Sequence, residues 1–283
     1  MPELPEVESI RSMLEKRVLN KKISKLEILD TKAIARPEPD SFCSAILGRK
    51  ILGMRRNAKY LIFDFDDASK MVAHLRMTGN LLYIDGNSKI NIKSDENGLP
   101  RHTRVIFTLN DGSLLCFCDQ RKFGRLWFYS SDEDYKACGI DRLGPEPLTA
   151  DFSKEYLCKC LAKTQRQIKT VLLDQSMVSG IGNIYSDEIL FNAGILPQTR
   201  ACDISKSRAL SLHDAINNVI SKGIKANQSS IEAYMLGARE QYTDLEKMNV
   251  YQKAGKKCKV CGTKIEKLTI GGRSSCFCPS CQR

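Results

Sequence analysis

Helical spacing of apolar residues covers Leu4–Val18, with Pro5 pre-setting the first turn, and the period then falls to two. Ile23 to Leu29, Tyr60 to Phe65, Arg104 to Leu109 and Leu114 to Cys118 alternate as strands do, and Asn110-Asp111-Gly112 is a turn between the last two. The expectation is an α+β protein: an N-terminal helix laid on an antiparallel β-sandwich or flattened barrel. Residues 85–101 are rich in Gly, Asn, Ser and Asp and read as a polar loop. Leu143-Gly144-Pro145-Glu146-Pro147-Leu148 ends the β region and reads as a hinge. Beyond it, helical spacing predicts helices over 152–163, 167–176, 183–193 and 205–222. The glycine-rich break Val178-Ser179-Gly180-Ile181-Gly182-Asn183 makes the second and third of these a helix-turn-helix-like unit. The resulting division is a β domain over 1–135, a linker over 136–150, a helical domain over 151–249 and a small tail over 250–283.

Charge narrows the partner. Across 283 residues, 44 Lys and Arg against 33 Asp and Glu leave a formal charge of +11, which favours a polyanion. No stretch approaches the roughly 18 apolar residues of a membrane span, and the first 20 residues are too charged for a secretory signal. A membrane partner is therefore set aside in favour of nucleic acid, and a cytoplasmic monomer is expected.

Twelve cysteines without an export signal suggest thiols and metal rather than disulfides. Seven of them, Cys43, Cys116, Cys118, Cys138, Cys158, Cys160 and Cys202, are scattered among apolar or helical stretches. The other five crowd the last 26 residues, where Cys258-x2-Cys261 and Cys278-x2-Cys281 stand sixteen residues apart. That is the spacing of a four-thiolate structural zinc site, and it gives a tail too small for a hydrophobic core something to fold on. Cys276 is an alternative ligand, though the paired spacing favours Cys278. Gly271-Gly272-Arg273 falls between the two pairs, so Arg273 stands near the tip or on the returning strand of a hairpin, where a guanidinium can fork onto a phosphate.

The front of the chain offers a reactive group, the other reading being that Met1-Pro2 is an ordinary start to a helix. Removal of Met1 would leave Pro2 with a free secondary amine whose pKa lies near 8, so a useful fraction is a neutral nucleophile at physiological pH. Attack on a sugar C1′ would give an iminium ion and acidify the C2′ proton, with the Glu3 carboxylate beside it as acid or base. Gly180-Ile181-Gly182-Asn183 precedes a helix, so its amides and the Asn183 side chain are placed to face an anion. Arg55, Arg56 and Lys59 put three cations just before the strand at Tyr60.

Met1-Pro2-Glu3-Leu4-Pro5-Glu6-Val7-Glu8 closely resembles the N-terminus of the bacterial formamidopyrimidine-DNA glycosylase family, which excises oxidised purines and nicks the strand. The related endonuclease-eight group has glycine in place of Leu4. The resemblance extends to Ile168–Gln175, Gly180–Tyr185, His74–Gly79, Asp119–Gly124 and the cysteine tail. It implies Pro2 as Schiff-base nucleophile, Glu3 as acid/base, and Lys59 and Arg273 on phosphates, Arg273 in a second elimination. It also implies that Met77, Arg121 and Phe123 fill the space left by an extruded base, with Arg121 on the opposite base. His74, His102, Lys169 and Asn183 would touch the DNA backbone, and one zinc would be held by Cys258, Cys261, Cys278 and Cys281. The segment 223–247 departs from the usual family loop, Gln252-Lys253 replaces a Gly-Arg after the tyrosine, and Arg101 stands where a second histidine is common. The alternatives are an enzyme for oxidised pyrimidines and a non-catalytic zinc-containing DNA-binding protein.

Overall fold

The computed structural model describes residues 2–85, 98–235 and 245–283, and over 229–235 the backbone alone. Contacts divide the chain into two compact units, one formed by Met1–Pro2, Glu6–Asp141 and Asn227–Thr243, the other by Glu3–Pro5, Arg142–Ala226 and Asp244–Arg283.

The first unit is a two-sheet sandwich. Strands β1 (Ile23–Ile28), β7 (Thr103–Leu109), β8 (Leu114–Asp119) and β6 (Gly79–Ile84) form one sheet in that order. The second runs β2 (Ile34–Arg36), β9 (Arg125–Tyr129), β5 (Lys70–His74), β4 (Tyr60–Phe65) and β3 (Ile51–Asn57). All pairings are antiparallel except β2 with β9. Phe63, Phe107 and Phe117 are fully buried in one core with Val7, Ile10 and Leu14 of helix α1 (Leu4–Val18), each such side chain contributing about 1.5–3 kcal/mol by leaving water. The apolar stripe of α1 is what covers the sandwich, as expected.

Strands β3, β5, β6 and β9 and the short helix α2 (Pro39–Ile46) were not legible as periodic segments. One consequence corrects the reading of the basic run. Arg55 and Arg56 lie within β3, and Arg55 forks onto Asp64 at 2.7 Å while Arg56 reaches Glu8 at 2.8 Å. Those two cations serve the fold, and only Lys59 stands beyond the strand.

The second unit packs α3 (Lys154–Ala162), α4 (Ile168–Leu173), α5 (Asn183–Asn192) and α6 (Lys206–Met235) around Leu4, Phe152, Ile168, Leu172, Tyr185 and Leu212. Ser153 caps α3 by accepting the Tyr156 N–H. Helix α6 runs to Met235 instead of ending at 222, because its one interior glycine, Gly223, packs against the Tyr185 ring and no proline follows. The departing segment 223–247 is thus helical to 235, and 236–244 lies outside the described residues, as does 86–97 of the expected polar loop. Among the described residues no helix is long and apolar enough to cross a membrane.

Candidate functional site

In the second unit, Glu3 is 1 % exposed and its carboxylate sits on the N-terminus of α5. Its Oε2 accepts from Gly182 N–H at 2.6 Å and Tyr185 N–H at 3.3 Å, and its Oε1 from Ile184 N–H at 2.8 Å. This corrects the reading of the glycine turn: the anion its amides face is the protein's own carboxylate, stabilised by the helix dipole. The turn needs its glycines for space. A Cβ on Gly182 would lie 2.4 Å from the Glu3 carboxyl carbon, and one on Gly180, where φ is +88°, 2.6 Å from Leu4 Cδ1.

Lys169 is also corrected. It is fully buried, so a direct phosphate contact is closed to it; its Nζ donates to Asp187 Oδ1 at 2.5 Å and to the Asn183 carbonyl at 3.2 Å. Burial pushes the Lys169 pKa down and the Asp187 pKa up, while the ion pair opposes both shifts. Asn183 Nδ2 donates to the Ser274 carbonyl at 3.1 Å, next to exposed Arg273 on the hairpin of β10 (Glu266–Ile270) and β11 (Arg273–Phe277).

Cys258, Cys261, Cys278 and Cys281 bring their sulfurs within 4.8 Å of one another, with pairs at 3.9 and 3.4 Å. Tetrahedral zinc with bonds of about 2.3 Å needs sulfurs about 3.8 Å apart, so the cluster fits one structural zinc. Four thiolates packed that closely repel one another, so they coexist there only around a cation. With all four positions filled by protein, the ion has no open place for substrate. Cys276 lies outside the cluster.

The first unit holds the other expected residues. Pro2 is buried, and Met1 lies outside the described residues. Lys59 is 7 % exposed and follows Ala58, whose φ is +48° at the β3–β4 turn. Tyr60 pairs in register with His74 and meets its ring edge-on at 4.5 Å. His74 Nδ1 accepts from Arg76 N–H at 3.0 Å, so the neutral ring carries its proton on Nε2. Burial, then the charges of Arg76 and Lys59, lower the His74 pKa to about 3.

A depressed histidine pKa contributes stability that is complete above about 6.5, the unfolded value, and is lost as pH falls toward 3. From pH 6.5 to 5 this one group should remove roughly 2 kcal/mol of unfolding free energy. Urea unfolding across that range should show the loss in the parent and a flatter profile in His74→Asn, which keeps an acceptor for the Arg76 amide. Identical slopes would refute the assignment.

Met77 and Phe123 are 44 and 47 % exposed, unusual for large apolar side chains, and the Arg121 guanidinium lies 4.9 Å from the Phe123 ring centroid. Sequence reasoning missed what holds these tips. Asp119, 1 % exposed, accepts from Thr78 Oγ1 at 2.5 Å, Arg121 N–H at 3.1 Å and Gly124 N–H at 2.7 Å. Its own N–H donates to the carbonyl of exposed His102 at 2.9 Å. Also missed was Asn227, whose Nδ2 donates to buried Glu6 at 2.8 Å. The signal for Asp119 was present, since it opens the Asp119–Gly124 motif; Asn227 lies in the segment that departs from the family pattern.

Three family models cover almost the whole chain: the formamidopyrimidine-DNA glycosylase N-terminal domain over residues 1–126, the H2TH domain of the same glycosylase over 143–235, and a zinc finger found in FPG and IleRS over 255–283. The chain belongs to the formamidopyrimidine-DNA glycosylase family. A formamidopyrimidine-DNA glycosylase of Pelotomaculum thermopropionicum is 38 % identical, with 100 % of this chain and 99 % of that protein covered. The Lactococcus lactis Fpg in complex with DNA containing an abasic site superposes with a TM-score of 0.87 at 33 % identity, covering 99 % of each chain. The same bacterium's enzyme with DNA containing FAPY-dG gives 0.86 at 33 % identity, covering 99 % of this chain and 100 % of that one. Within this glycosylase family frame, the two-sheet sandwich, the paired helices flanking the glycine turn and the cysteine hairpin are the three matched parts in order.

Proposed function

We propose that this chain is a base-excision repair enzyme that releases oxidised purines, 8-oxoguanine and formamidopyrimidines, from double-stranded DNA and then cleaves the abasic strand. The observation that carries the reading is Glu3, a buried carboxylate pinned by three helix amides immediately after Pro2, in a chain matched along its length by one glycosylase family. Once Met1 is gone, the Pro2 nitrogen attacks C1′ of an everted nucleotide as the C1′–base bond breaks, the base taking a proton from water. The Glu3 carboxylate accepts the proton that the alkylated Pro2 nitrogen sheds and passes it to the sugar ring oxygen as the C1′–O bond opens. The C1′–N bond becomes an iminium, and loss of the C2′ proton breaks the C3′–O bond.

Lys59 and Arg273 stabilise the phosphates on either side, and neutral His74 offers Nε2–H to the backbone, with His102 a second contact. Asn183 holds backbone too, and Lys169 enters through its bond to the Asn183 carbonyl. Met77, Arg121 and Phe123 refill the stack, which offsets part of the few kcal/mol spent on eversion. The division at 1–135, 136–150, 151–249 and 250–283 is the working functional organisation. The enzyme acts as a single chain, in the bacterial cytoplasm at the nucleoid.

Borohydride added during incubation with a duplex carrying 8-oxoguanine should yield a covalent protein–DNA adduct when mass spectrometry finds Met1 absent, and none when the N-terminus is blocked. A correctly trimmed protein that binds the duplex without forming an adduct would leave only a zinc-containing DNA-binding protein. A parallel duplex with oxidised thymine tests lesion class, and faster turnover of the pyrimidine would overturn the purine assignment.

A further inference from the structure

Asp187 belongs to none of the expected site residues, yet its buried carboxylate on α5 holds three donors. It is 1 % exposed; its Oδ1 accepts from Lys169 Nζ at 2.5 Å and Ser275 Oγ at 2.6 Å, and its Oδ2 accepts from Cys276 N–H at 3.0 Å. Four residues earlier, one turn along the same helix face, Asn183 donates to the Ser274 carbonyl at 3.1 Å. Ser274, Ser275 and Cys276 are the three residues that follow Arg273 on β11, so each is bonded to α5.

Apart from α5, Arg273 is placed by the hairpin, where it pairs with Ile270 of β10. It is exposed, and on its other side stand Gly271 and Gly272 with φ of +55° and +73°, a turn free of Cβ restraint. The N-terminus of the same helix holds Glu3. Helix α5 is therefore a ruler with Glu3 at one mark and the Arg273 strand at another, and Asp187 is the clamp that holds the strand to it. A charged clamp sets position better than apolar packing here, because its acceptors fix the strand's register as well as its distance.

We propose that Asp187 is a positioning residue for the second phosphate elimination: it sets Arg273 against the leaving phosphate while leaving the Pro2 chemistry untouched. The proposal rests on the glycosylase/lyase reading above. In the step concerned, water takes the C4′ proton, the C–H electron pair enters the conjugated iminium, and the C5′–O bond breaks. The phosphate departs as a monoester, its growing charge met by the Arg273 guanidinium. Asp187 touches neither sugar nor phosphate.

The test uses zinc-loaded, full-length protein and an end-labelled duplex with a preformed abasic site, reading the ratio of 3′-phosphate to 3′-unsaturated aldehyde ends. In Asp187→Asn one of the two acceptor atoms becomes a donor, and the ratio should fall about tenfold, the worth of one charge-assisted hydrogen bond. The rate of borohydride adduct formation should stay within about threefold of the parent, as for a change away from the reacting atoms. Ser275→Ala, which removes a single bond and leaves the ion pair whole, should shift the ratio the same way by less, and it serves if the first variant does not fold. An unchanged ratio in both active variants, or an equal fall in ratio and adduct rate, overturns the proposal. A parent that forms no adduct removes the functional reading, and this proposal with it.

Discussion

Gly182→Ala should reduce base release by on the order of 10²–10⁴-fold, the contribution of a positioned general acid or base. The added methyl would stand 2.4 Å from the Glu3 carboxyl carbon and 2.5 Å from Oε1, so the carboxylate must leave the amides of Gly182, Ile184 and Tyr185. Glu3 is buried, and a carboxylate deprived of its donors there costs about 1–3 kcal/mol or more, so the unfolding midpoint should drop as well. Gly53→Ala is the control, because a Cβ there meets nothing closer than Asp64 Oδ2 at 3.9 Å. Single-turnover excision with 8-oxoguanine measures the effect. Parent-like rates in Gly182→Ala would show that Glu3 works from some other position.

Removing zinc should have the second large effect. Structural zinc in finger peptides is worth about 10–16 kcal/mol near neutral pH, far more than the small cluster of Val250, Ile265 and their neighbours can supply. A chelator, or Cys261→Ser, should therefore open residues 255–283 to protease. It should also release the bonds from Asn183 and Asp187 to β11, weakening DNA binding about a hundredfold through loss of Arg273 and Asn183 contacts. Added zinc should restore the chelated protein and leave Cys261→Ser impaired. Unaltered protease resistance and binding in protein shown to be metal-free would refute a structural role for the ion.

The sequence made plain what local pattern encodes. Helix α1, strands β1, β4, β7 and β8 and the helices flanking the glycine turn were legible from their apolar content and the turns between them. The burial of the strands does not follow the expected alternation, β8 burying five consecutive residues. β4, read as alternating, buries five of its six residues on both faces, so the strand is present but the alternation is not what its burial follows. β3 hid its character, since Gly53, Arg55 and Arg56 interrupt the alternation and its arginines are tied to distant carboxylates. The end of α6 was misplaced because Gly223 resembles a stop and is in fact a packing position against Tyr185.

The four zinc ligands could be read from spacing. Partners of those groups were not readable. Which anion fills the amides before α5, and that Lys169 turns inward to Asp187, depend on contacts between residues far apart in the chain. No periodicity reports such pairings.

The Asp119 carboxylate joins the Thr78 hydroxyl on one turn to the Arg121 and Gly124 amides on another. The two bare apolar tips beyond those turns are consequently prongs of a single fork. Whatever those prongs meet, they meet at one spacing, set by a single carboxylate between the two turns.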